Sequence, residues 1–161
     1  MSVLEEREEL ELKLQIKNQW YCDYCGEVIE KPADGMLEWD SILDDENGLS
    51  ADNFRIVHHM SIKTCKTRRP DDNLADGHLD WYLGPDGLNE LLEIQRRYKL
   101  DTVKFNIIIR RLHVDLFEEA LKYLPLAIED GYHDYDPYEV GDLSQTDLKW
   151  LIKRYGKRKQ Y

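Results

Sequence analysis

The chain is poor in cysteine, with three among 161 residues, and the count is odd. Small secreted scaffolds use larger, even sets, so these thiols point to a reducing compartment and to metal binding or packing. Long hydrophobic runs are missing too. The most apolar stretch, residues 107–109 (Ile-Ile-Ile), is cut off at once by Arg110 and Arg111, whereas a membrane span needs about 20 apolar residues. The opening MSVLEEREELELK lacks the apolar centre of a signal peptide. A cytoplasmic protein with no membrane partner is the expectation. No nucleophile elbow, Walker loop or dinucleotide fingerprint occurs. Gly84-x-x-Gly87 is too short to cradle phosphate and reads as a break between helices.

Cations are outnumbered: Lys+Arg is 22 against 33 for Asp+Glu, a net charge of −11. General attraction to nucleic acid or anionic lipid is therefore unfavourable, because both need clustered Lys and Arg. What is present is a hydrophobic content of 42%, which excludes a chain too polar to fold. The length suits one compact domain or two small ones. Charge is uneven. Residues 125–143 hold six acids and no Lys or Arg, while residues 144–161 carry a net +5, leaving −16 on residues 1–143. The acidic stretch also contains Tyr132, Tyr135 and Tyr138. It reads either as a loop neutralised by its own basic helix or as a docking surface for a protein partner with a basic face. Nucleic acid contact is expected, if anywhere, only at the basic tail.

Along the chain, residues 3–9 favour a helix, and alternating Leu10, Leu12, Leu14 and Ile16 predict a strand over 10–17. Residues 18–28 form a knuckle. Strands are expected over 36–41 and 53–59, joined by a long acidic tip containing Asn47-Gly48. Residues 63–73 read as an irregular loop and 76–83 as a short helix. Helices follow, capped by Asp86, by Asp101 or Thr102, and by Asp115, with a restart at Pro125 and a stop at Gly131. The final helix is the best marked: Ser144 and Asp147 form a capping-box pattern with Leu143 and Leu148 at staple positions, ending at Gly156. This divides the chain into an extension (1–17), a zinc-binding hairpin/helix domain (18–98) and a helical C-terminal domain (99–161). The fold class is α+β.

The strongest chemical signal is Cys22-x-x-Cys25, followed by His58 and Cys65. Two cysteines spaced by two residues at a turn can grip one zinc ion, and an intervening hairpin can return a His and a third Cys to complete a tetrahedron. His58 is favoured because it shares a strand face with Ile56; His59, on the opposite face, is the alternative. The competing readings are small buried hydrophobes and a redox pair, although a redox CxxC normally opens a helix beside a βαβ unit.

The run WYCDYCGEVIEKPADGMLEW, then FRIVHH, Cys65 and LDWYLGPDGLNELL, covering about residues 19–95, resembles a group of uncharacterised bacterial zinc-knuckle proteins. That group shares a WYCxxCG start, an FxIVH segment, a nearby Cys and an LGxxGL helix entry. The resemblance implies a zinc-stapled fold with His58, four after Phe54, as the histidine ligand. Trp81-Tyr82 at the helix entry and a longer loop around Cys65 depart from the pattern. The resemblance implies no activity.

A second constellation, His59, Asn73 and His78, follows the His…Asn…His order of ββα-metal (HNH-like) nucleases, in which a His activates water and a metal holds the phosphate. The short Asn73–His78 interval, the missing second CxxC and the negative charge weigh against it. The primary expectation is a small protein-interaction or regulatory module with structural zinc; enzyme status stays open, with the nuclease as the enzymatic alternative.

Overall fold

The computed structural model describes residues 10–46, 48–65, 74–132 and 143–157. The fold is mixed α+β: antiparallel sheets come first and helices follow. Strands β1 (Trp20–Tyr21) and β2 (Val28–Ile29) pair around the knuckle. A second sheet has the order β4-β3-β5, all antiparallel, with β3 Gly35–Asp44, β4 Gly48–His58 and β5 Leu74–His78. A register shift between Glu38 and Asp40 marks a bulge. Opposite it, Asn53 adopts a left-handed φ of 56°, a conformation Asn tolerates better than most residues.

Five helices complete the described chain: α1 Gly84–Arg97, α2 Thr102–His113, α3 Phe117–Leu121, α4 Leu124–Glu129 and α5 Gln145–Tyr155. Asp101 caps α2 by accepting the Val103 and Lys104 amides. The α4 terminus is a Schellman motif, with Gly131 at φ +79° donating to Ile128 and Tyr132 donating to Ala127. Ser144 and Asp147 form the reciprocal capping box of α5.

Several local expectations are corrected. Residues 10–17 form no strand; Glu119 takes the Lys13 and Leu14 amides at 2.6 and 2.7 Å, so those donors are withdrawn from any sheet. The hairpin tip is short, because pairing continues through Leu43–Leu49 to Asp44–Gly48. Residues 74–78 form an edge strand, and only Leu79–Tyr82 is helical, as a 3₁₀ turn. Gly77 makes this possible: a Cβ there would collide with the Tyr82 ring. Helix α1 starts at Gly84 behind Leu83, with Pro85 in its first turn, not behind an Asp86 cap. Leu116, at φ 70°, precedes α3, while Asp115 pairs with Lys17. The proposed helix over 3–9 lies outside the described residues.

Two hydrophobic clusters form the core. Trp20, Leu37, Ile56, Leu79, Leu91, Ile94, Phe105, Ile108 and Leu112 belong to the first. Phe117, Tyr123, Leu124, Leu148, Leu151, Ile152 and Tyr155 belong to the second. Helix α2 touches both, since Ile107 packs against the second cluster.

Candidate metal centre

The knuckle is built by backbone hydrogen bonds. The Cys22 amide donates to Glu27 at 2.9 Å and the Gly26 amide to Cys22 at 2.8 Å. This turn needs the left-handed φ of +76° at Gly26, where other residues would be strained. Strand β4 then brings His58, its last residue, beside Cys25. The ensuing turn, held by Ile62 and Lys63 amides on the His59 carbonyl, delivers Cys65.

The ligand atoms of Cys22, Cys25, His58 and Cys65 all lie within 4.8 Å of one another. Cys22 Sγ is 3.8 Å from Cys65 Sγ, and Cys25 Sγ is 3.5 Å from His58 Nδ1. A tetrahedron with metal–sulfur bonds of about 2.3 Å and a metal–nitrogen bond of about 2.05 Å has edges of about 3.8 and 3.6 Å. His58 Nε2 lies 3.2 Å from the Val28 carbonyl, which can only accept. Nε2 therefore carries the proton, and the Nδ1 lone pair faces the thiols, the orienting contact that metal-bound histidines usually make. Cys22, His58 and Cys65 are buried and Cys25 is half-buried. Burial first, and the Cys22 thiol next, push the Cys65 thiol up to about 12. At Cys25 burial also acts upward, but the Glu27 amide, the two neighbouring thiols and the Lys63 charge bring the thiol below its usual range.

His59 stands outside this group. Its ring stacks on His78 at 5.4 Å and 5°, and its Nδ1 accepts the Ser61 amide at 3.1 Å. His78 is exposed and meets the Trp81 edge at 5.0 Å. Asn73, the third member of the nuclease-like set, lies outside the described residues, as do Tyr135 and Tyr138 of the acidic loop.

A polar latch beside the knuckle escaped sequence reasoning. Asp23, between the two cysteines, binds the Ile56 amide and Arg111 Nη1, both at 2.8 Å. Arg111 also forms a two-pronged pair with Glu118, at 2.7 and 3.0 Å. Glu118 in turn accepts the Tyr21 amide, while Trp20 donates its indole N–H to the Arg111 carbonyl at 3.0 Å. Burial alone would lower the Arg111 pKa; the Glu118 and Asp23 carboxylates reverse this and keep it raised. The available signal was a charge at position 111 on the helix face that carries Phe105, Ile108 and Leu112. A groove of about 430 Å³ opens beside the latch, walled by Asp23, Arg55, Lys104 and Arg111. Arg55 is held there by Tyr24, Glu38 and Asp40.

Among the described residues, no helix is long and apolar enough to cross a membrane. Comparison with family models, with curated proteins and with solved structures found no match to this chain. On geometry alone, the knuckle and the end of β4 make a Cys3His group near enough to hold a metal ion.

Proposed function

We propose that Cys22, Cys25, His58 and Cys65 bind one zinc ion as a structural staple, and that the chain is a small cytoplasmic protein-interaction or regulatory module. The observation that carries the metal reading is the convergence of four ligand atoms within 4.8 Å, two of their separations at tetrahedral length, with His58 Nδ1 turned toward the thiols. Three thiols and an imidazole suit zinc, and four protein ligands leave no open position for water, the mark of a structural site. Structural zinc supplies an apparent ~10–16 kcal/mol, comparable with the ~5–15 kcal/mol stability of a whole domain. Elemental analysis should find one zinc per chain, greatly reduced in Cys25→Ser. Strong chelator should abolish the near-UV signal; an intact signal with zinc shown to be gone overturns the structural role. The interaction role rests on the uneven charge and is tested by affinity capture with wild type and a Tyr135→Ala/Asp136→Ala variant, where an unchanged partner set counts against that loop.

The stacking of His59 on His78 favours one second reading, the ββα-metal nuclease. DNA cleavage with magnesium or manganese, lost in His59→Ala, would support it; no cleavage by wild type removes it.

A further inference from the structure

The β3–β4 hairpin outruns its sheet. Strand β5 pairs only with residues 36–40 of β3, whereas β3 and β4 continue together through Ile42–Ser50, Leu43–Leu49 and Asp44–Gly48. On the other side of β4, the backbone of Lys99 binds Leu49 and Ala51 at 2.9 Å. This arm carries unusual side chains for a protruding ribbon. Leu43 is 75% exposed, Ile42 48% and Leu49 37%. Leu43 and Leu49 are directly opposed and share a face; Ile42 stands on the reverse. Two-stranded ribbons gain little stability by themselves, and Ile42, Leu43 and Leu49 lie outside both hydrophobic clusters. Exposed apolar groups concentrated in this way mark contact surfaces.

Charge selects the partner. Residues 32–54 contain seven Asp or Glu and no Lys or Arg. Glu38 and Asp40, at the base, are paired with Arg55. Asp44, Asp45 and Glu46, at the tip, are exposed, giving residues 41–50 a charge of −3 around their apolar centre. A complementary surface presents apolar side chains ringed by cations. We propose that this arm docks a basic amphipathic segment of another protein, with Leu43 and Leu49 as apolar anchors and Asp45 and Glu46 steering the approach. The proposal rests on the interaction-module reading and names its partner class.

The test titrates isotope-labelled, zinc-loaded protein with a synthetic Lys/Leu amphipathic peptide and with a scrambled peptide of the same composition. The expected result is amide shifts concentrated in residues 41–50, with the scrambled peptide binding more weakly. Affinity should fall roughly tenfold or more in Leu43→Ser/Leu49→Ser, which removes the buried apolar contacts, and should also fall in Asp45→Lys/Glu46→Lys. These exposed positions leave folding and zinc content intact, and the capture experiment with Tyr135→Ala/Asp136→Ala tests the interaction-module reading on another surface, so the two failures are distinguishable. Equal affinity for the serine variant, equal binding of the scrambled peptide, or shifts centred elsewhere overturns the proposal. So does concentration-dependent self-association abolished by Leu43→Ser, which would make a second copy the occupant.

Discussion

Arg111 and Glu119 show what single charges do inside this molecule. Arg111 is 9% exposed and Glu118 10%, so their pair is shielded from water. Replacing Arg111 by Met leaves Glu118 without its cation and should cost about 3–5 kcal/mol, the usual result of breaking a buried pair from one side. A denaturant titration with unchanged slope would measure it. Glu119 differs: burial raises its pKa, and the Leu14 and Lys13 amides offset this only in part. A carboxylate raised in the folded state favours folding while protonated and loses that contribution as pH rises through its folded pKa. Its Oε2 is buried without a hydrogen-bond partner. Glu119→Gln should therefore gain in stability relative to wild type as pH rises through the range above that of an ordinary glutamate. Parallel melts across that range would contradict a raised Glu119 pKa. The cysteines were legible at this scale because CxxC is a local pattern. Strand alternation put His58 and His59 on opposite faces and left the two as alternatives; the fold brings His58 to the cysteines. The partners of Glu119 were not legible, since they lie 105 and 106 residues away.

At the scale of elements, helix ends followed from local chemistry where a side chain could reach its own backbone. Ser144 and Asp147 satisfy each other's amides, so Ser144→Ala should lower stability by about 1 kcal/mol. Asp86 and Asp115 looked equally suitable, but neither caps a helix. Leu83 precedes α1, and Asp115 turns towards Lys17 at 2.9 Å. Close packing at Gly87 seats the first turn of α1 against Tyr82. A Cβ there would run into the Tyr82 backbone, which cannot yield as a flexible side chain would. Gly87→Ala should thus destabilise by roughly 1–3 kcal/mol, despite alanine's better helix propensity. Thermal melts against Gly84→Ala, where the cost is the left-handed φ of +67° with no clash, would separate the two causes.

Across the whole molecule, the knuckle joins the Cys3His group to the helices. Trp20 and Asp23 flank or separate the cysteines and bind α2, while Tyr21 binds Glu118 beyond it. Removal of the zinc proposed for this group should therefore loosen both cores together, giving one transition by near-UV dichroism and tryptophan fluorescence. Affinity for the proposed zinc should also weaken as pH falls, because the thiols must lose their protons to bind and burial, with the Cys22 thiol, holds the Cys65 thiol above its usual range. Competition with a chelator from pH 8 to 6 checks this direction.

The sequence by itself determined the α+β class, the cysteine and histidine types of the cluster, and the capping box of α5, while it left His58 against His59 and Asp101 against Thr102 open. Each depends on spacing within a turn, a strand or a few residues. Tertiary structure decided the rest. It converted residues 10–17 from a sheet candidate into a segment tied to Glu119, and it placed residues 74–78 on a sheet edge. It also set Arg111 between Asp23 and Glu118. Those outcomes depend on which distant backbone and charged groups compete for the same hydrogen bonds, and burial settles that competition by making an unsatisfied group costly.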